Sequence, residues 1–175
     1  VYPARPPIAP PTAPGTAPDG PDGTGAQLLR ILETWNWKRP NLDPVLMLGW
    51  LAQAPVGGAL SWRSHVFLTG GFGTGKSTLQ AMLGHTCAGG IVQPADTTAA
   101  GIYQKVRQDS LPVAVDESEG DADNRKLLAV VKLARVAASG GKLLRGGSDH
   151  DGVEFTVRQA FLFSSINPPP LAEQD

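Results

Sequence analysis

Residues 68 to 79 read LTGGFGTGKSTL, and no other stretch of the chain restricts its fold as much. Gly70 is followed by four residues and then by Gly75, Lys76 and Ser77, the G-x-x-x-x-G-K-[ST] pattern. An apolar run, HVFLT, comes just before it and a helix-forming TLQAML comes after. Glycines at this spacing let the backbone curl with its N–H groups inward, and the following helix presents its positive end at the same point. Such a loop cradles phosphate. Gly70, Gly73, Thr74, Gly75, Lys76, Ser77 and Thr78 are the candidate contacts to a nucleotide, expected to be ATP. Lys76 is expected to pair with the β- and γ-phosphates, and the Ser77 hydroxyl, rather than Thr78, to bind Mg²⁺. The plain alternative is a Gly-rich turn with an incidental lysine, which the strand before and the helix after disfavour.

A second element is LPVAVDES, residues 111 to 118. Four apolar residues form a strand, and Asp116 and Glu117 stand at its C-terminal end, where ligands gather in open α/β sheets. Asp116 is expected to hold the Mg²⁺ through its water, and Glu117 to polarise an attacking water. Two acidic residues ending a strand before a turn are the alternative; Glu119 reads as solvated. A third element is AFLFSSIN. A buried strand runs into Asn167, which is followed by three prolines. Beside a phosphate site Asn167 can hydrogen-bond the γ-phosphate or the attacking water; alone it would read as a turn residue before Pro.

The rest of the chain supplies the frame. Residues 1–25 carry half of the 16 prolines and almost no large apolar groups, so they read as a disordered linker, or as a ligand for a Pro-reading domain. Helices are expected over 26–38, with Thr24 as a cap and Pro40 as the stop, and over 42–53. With all four tryptophans before the phosphate loop, this region is either a helical subdomain packed on its neighbour or a subunit contact. Beyond it, strands are expected at 65–69, 91–93, 112–115, 142–145, 153–158 and 160–164, and helices at 75–84, 97–109 and 122–138. The expected fold class is α/β, a P-loop NTPase with a mostly parallel sheet, helices on both faces and a small N-terminal helical subdomain. The boundaries are 1–25 linker, 26–60 helical subdomain and 61–175 ATPase core, truncated at its C-terminus.

The strands at 142–145 and 153–158 flank GGSDHDG, a hairpin tip. Lys142, Arg145 and His150 are on or near it and are the candidate DNA contacts. The alternative is a solvent-exposed hairpin, and Asp149 and Asp151 cancel local charge. Asp149, His150 and Asp151 have too few spaced ligands for a metal site. Over the 175 residues, 15 Lys and Arg stand against 16 Asp and Glu, so any nucleic-acid contact must be local. The single cysteine, Cys87, fits a cytoplasmic setting, and no apolar run approaches the roughly 18 residues of a membrane span. The chain opens on Val1 and closes on LAEQD after a proline run, and we expect a piece of a longer protein. Trp62 or His65 could touch the nucleotide base, or be core.

In order, GGFGTGKS, PVAVDE, a long helix with ASGGKLLRG and FLFSSINP resemble the ATPase core of superfamily 3 helicases within the broad AAA+ group, most of all the helicase domains of phage and plasmid primase–helicases. The resemblance covers roughly residues 43 to 170. It implies a sensing role for Asn167 and a hairpin over 145–152 that lines the channel of a homo-oligomeric ring and grips single-stranded DNA. It also implies a primase or polymerase domain upstream of the linker. In that family an arginine completing a neighbour's site usually follows the sensing Asn, and none does here; Arg145 and Arg158 precede it. The expected function is therefore an ATP-driven replicative helicase motor. The rivals are a nucleotide-dependent switch, a DNA-packaging ATPase, which needs a downstream nuclease, and a small-molecule kinase, which the Asp116–Glu117 pair argues against.

Overall fold

A computed structural model describes residues 13, 15, 18, 20–87, 89–94, 98–107, 109–116, 125–146 and 152–167, with the backbone alone at 144–146, 152 and 153. Most of the Pro-rich stretch, residues 122–124, Glu117, Glu119, the hairpin tip with Asp149, His150 and Asp151, and the Arg145 side chain lie outside that description. The chain divides into two compact units, Val1–Leu51 and Ala52–Asp175.

In the first unit a short 3-10 turn, Gly20–Asp22, leads into α1, Thr24–Leu32. Thr24 is the first residue of the helix and not its cap; Gly23 holds that place, with no side-chain cap. Gln27 Nε2 and Arg30 Nη1 instead reach back to the carbonyls of Asp22 and Pro21, at 2.8 and 2.6 Å. The helix stops at Leu32, well before Pro40, in a turn where its last carbonyls accept from backbone N–H groups of Thr34 and Trp35 and from side chains. The Trp37 indole N–H donates to Leu32 O at 2.7 Å and Thr34 Oγ1 to Ile31 O at 2.7 Å. α2, Asp43–Gln53, runs across the division between the units. Asp43 fixes its start by accepting from Arg39 Nε at 2.8 Å and from the Arg39 backbone N–H at 3.0 Å.

The second unit is α/β. A 3-10 segment, Ala54–Ala59, is followed by β1 (Val66–Thr69), α3 (Lys76–Thr86), α4 (Ala99–Val106), β2 (Val113–Asp116), α5 (Arg125–Ala138), β3 (Lys142–Gly146), β4 (Gly152–Thr156) and β5 (Phe161–Ser165). β1, β5 and β2 form a three-stranded parallel sheet in the order β1-β5-β2. β5, the last of the described strands, thus lies in the middle, and all five of its residues are buried. A central parallel strand is covered on both faces, which is why its sequence shows no polar alternation. The expected strand at 91–93 is reduced to a single parallel bridge from Val92 to Val113.

Register sorts the side chains. Phe163 is level with Phe67 and Val115, and Phe161 with Val113. These residues share one face and pack with Ile102 and Val106 of α4 and with Val130, Val131, Leu133, Ala134 and Ala137 of α5. Phe67 stacks on Phe163 at 4.5 Å between ring centroids. Burying a side chain of this size contributes about 1.5–3 kcal/mol, so the phenylalanines of β5 dominate this core. β3 and β4 form a separate antiparallel hairpin, tied to the same core by Leu143 and by Phe155, which stacks on Tyr103.

Two polar side chains pin this frame from inside. Arg63 is only 2% exposed. It donates from Nε to Gly57 O at 2.6 Å, from Nη1 to Ala137 O at 2.9 Å, and from Nη2 to Leu60 O. It thereby caps the C-terminal end of α5, where cations are favoured, and holds the 3-10 segment against it. Burial, then the nearby Arg158 charge, push its pKa below the ordinary value. His65 accepts from the Phe161 N–H at Nδ1, 3.1 Å away, and Nε2 lies 2.6 Å from Ala134 O. The acceptor role of Nδ1 puts the proton on Nε2. One ring therefore joins β1, β5 and α5. Burial holds its pKa below the ordinary value, opposed by the Ala134 carbonyl and reinforced by Arg63.

Arg63→Leu should cost about 3 kcal/mol, because several buried carbonyls lose their donor; a fall of about 6–12 °C in Tm checks this. For His65, the fold disfavours the charged ring, so the unfolded chain binds more protons below the ordinary histidine pKa of about 6.5. Stability is complete above that pH and should be lost as pH falls beneath it. Thermal melts from about pH 8 to about pH 5.5 should show Tm declining at the acid end, and His65→Gln should flatten that decline.

Candidate phosphate-binding site

The three parallel strands all end at one edge, and the candidate residues collect there. β1 ends at Thr69, level with Ser165, and the Gly70 N–H continues the ladder to Ser165 O at 3.2 Å. β2 ends at Asp116, level with Ser164. Between them the chain turns from β1 into α3 through a loop whose shape needs glycine. Gly73 and Gly75 have φ of 72° and 85°, the left-handed region that residues with a Cβ avoid. Gly75 is also the N-cap of α3 and brings no side-chain cap. The first-turn N–H groups of a helix have no intrahelical acceptor and carry the positive end of its dipole.

Lys76 closes the loop over this helix end. Its Nζ donates to Gly70 O at 2.6 Å and to Gly71 O at 2.9 Å. Thr74 Oγ1 donates to Gly71 O at 2.9 Å, stiffening the same turn. The result is a cavity of about 400 Å³ lined by residues 72–78, Asp116, Ser164, Ser165 and Ile166, within the range of small-ligand sites. Cationic charge and a helix N-terminus occupy one wall, and a carboxylate with hydroxyls occupies the other. That is the charge pattern for a polyanion accompanied by a cation.

The sequence-predicted residues fall as follows. Gly73, Thr74, Gly75, Lys76, Ser77, Thr78 and Asp116 line the cavity, and Gly70 holds Lys76 through its carbonyl. Glu117 follows Asp116 directly and lies outside the described residues. Asn167 is exposed, one residue beyond the Ile166 that lines the wall. Lys142 lies in β3, where its Nζ is 2.8 Å from Glu154 Oε1 of the paired strand. The backbone of Arg145 pairs with Val153 in the hairpin, and His150 lies outside the described residues.

Trp62 and His65 do not share this cavity. They line a second one, of about 580 Å³, with Phe67, Phe163 and α5. His65 is committed there to its two backbone partners, whereas Trp62 is 64% exposed.

Three residues escaped the sequence reading. Ser164 and Ser165 are buried at the cavity wall, and neither Oγ has a hydrogen-bond partner among the described residues. Their signal was present: a buried strand that changes from FLF to SS as it reaches the ligand edge. Phe72, at the loop's tip, is 91% exposed; an aromatic in a glycine run is a second such signal.

The donor set fits magnesium. A serine hydroxyl and a carboxylate are hard oxygen ligands, and Mg²⁺ is held by one or two carboxylates together with phosphates and water. Among the described residues no group of three or more His, Cys, Asp or Glu side chains could form a cage for a metal ion. Comparison of the sequence with protein-family models finds no match, and comparison with curated proteins finds none.

Proposed function

We propose that this chain is a magnesium-dependent ATPase domain of P-loop type, and that it is the motor of a replicative DNA helicase resembling the superfamily 3, AAA+ group. One observation carries the reading: the GGFGTGKS loop, Asp116 and the polar end of β5 meet at a single edge of a parallel sheet in which β5 separates the other two strands. In this reading the phosphates of ATP lie against the N-terminus of α3. Lys76 leaves the carbonyls of Gly70 and Gly71 to pair with the β- and γ-phosphates. Ser77 and Asp116 hold Mg²⁺, which when bound offsets the charge of the phosphate oxygens. Glu117 takes a proton from the attacking water as the γ-phosphoryl group leaves ADP. Asn167 hydrogen-bonds the γ-phosphate or that water. The β3–β4 hairpin, with Lys142, Arg145 and His150, meets single-stranded DNA in a ring of identical subunits, with a primase or polymerase domain upstream.

The setting is proposed to be cytoplasmic. Cys87 is half-buried, and burial raises its thiol pKa, so it is poorly reactive. No helix among the described residues is long and apolar enough to cross a membrane.

A second reading, a nucleotide-dependent switch without DNA, is favoured by the Lys142–Glu154 ion pair, which offsets one of the hairpin's cations. ATPase rates of the full-length protein with and without single-stranded DNA separate the two. The motor reading expects strong stimulation that Arg145→Ala with His150→Ala removes; tight ATP binding without stimulation supports the switch.

The chemistry has its own test. Glu117→Gln should keep ATP binding while turnover falls about 10²–10⁴-fold, the usual contribution of a general base. Lys76→Ala should weaken binding about tenfold or more as well as slowing turnover. Normal hydrolysis by Glu117→Gln would show that another group is the base.

A further inference from the structure

Ser164 and Ser165 are 2% and 3% exposed, both line the phosphate-site cavity, and both hydroxyls are without a partner among the described residues. Buried polar groups are nearly always hydrogen-bonded, and an unpartnered one at a ligand wall calls for an explanation. Strand geometry separates the two serines. Ser164 is the register partner of Asp116, so the two stand side by side on the same face of strands about 4.8 Å apart. Ser165 alternates to the other face, level with Thr69.

Resting on the reading of this cavity as a magnesium–nucleotide site, we propose that Ser164 is a positioning residue for Asp116. Its Oγ–H donates to the Asp116 carboxylate once nucleotide and magnesium are bound. The hydroxyl then has the partner that the other described residues do not give it, and the carboxylate is held in the one orientation that serves the metal. A residue that orients a metal-holding carboxylate in this way typically changes metal affinity by about 10- to 100-fold when it is lost. The cost of the unpartnered hydroxyl is carried by the ligand-free fold, because a strand residue at this level cannot turn to solvent from the centre of the sheet.

Thermal melts of the full-length protein with a non-hydrolysable ATP analogue, with chelator or over a magnesium titration, test this. Ser164→Ala should melt within about 2 °C of the unaltered protein, or above it, without ligand, since only an unpartnered hydroxyl is removed. Its gain in Tm from analogue with chelator should be unchanged. The magnesium concentration giving half of the further gain should rise about tenfold or more. An unchanged magnesium midpoint overturns the proposal, as does a midpoint moved by Ser165→Ala and not by Ser164→Ala. A ligand-free Ser164→Ala that melts well below the unaltered protein also overturns it, because the hydroxyl would then have a structural partner. If the unaltered protein gains nothing from the analogue with or without magnesium, the reading of the site itself falls, and this proposal with it.

Discussion

β5 carries backbone ladders on both of its edges, to β1 on one side and to β2 on the other, and it is the last strand among the described residues. Until it is in place β1 and β2 have no common neighbour, so the glycine loop that follows β1 and the carboxylate that ends β2 have no defined separation. Its two phenylalanines meet α4 and α5 on one face, and its C-terminal serines close the wall of the cavity. A parallel strand paired with partners far away in the chain must close long loops before its hydrogen bonds form. The stabilisation that offsets this entropy comes from full burial of an apolar strand, which is why FLF occupies its first three positions.

Two polar residues ahead of β1 keep that insertion specific. Arg63 joins the end of α5 to the 3-10 segment, and His65 joins β1, β5 and α5 through one neutral ring. Both donate to, or accept from, backbone groups that apolar side chains would leave unsatisfied. The root of the β3–β4 hairpin lies in the same network: the Arg63 N–H donates to Ala138 O and the Val157 N–H to Gly141 O, each within a few residues of a hairpin strand. In the proposed motor this short run of bonds lies between the strands that carry the phosphate site and the hairpin assigned to DNA.

Much of the site could be read from the sequence because its determinants are local. The glycine pattern specifies left-handed backbone at Gly73 and Gly75, and the apolar run before it specifies a strand whatever lies elsewhere. Asp116 was legible as a strand end for the same reason. Arg63 was invisible, since an isolated arginine reads as surface and only folding brings the carbonyls of Gly57, Leu60, Ala137 and Ala138 around its side chain. His65 stood between a base contact and a core residue; it is partly buried at the wall of the second cavity, held by two backbone partners. The end of α1 was read too far along, because the Trp37 indole that takes its last carbonyl arrives from beyond the helix.

The amino-acid order was sufficient for the alternation of strands and helices, the glycine loop between β1 and α3 and the acidic strand end, each of which depends on interactions within about a dozen residues. Tertiary structure alone decided that β5 lies between β1 and β2, that Asp116 stands beside Ser164, and that two serine hydroxyls are buried at the cavity without a partner among the described residues. Register and burial are properties of pairs of strands far apart in the chain. A one-residue slip in either ladder would exchange the faces of Ser164 and Ser165 without altering any local preference.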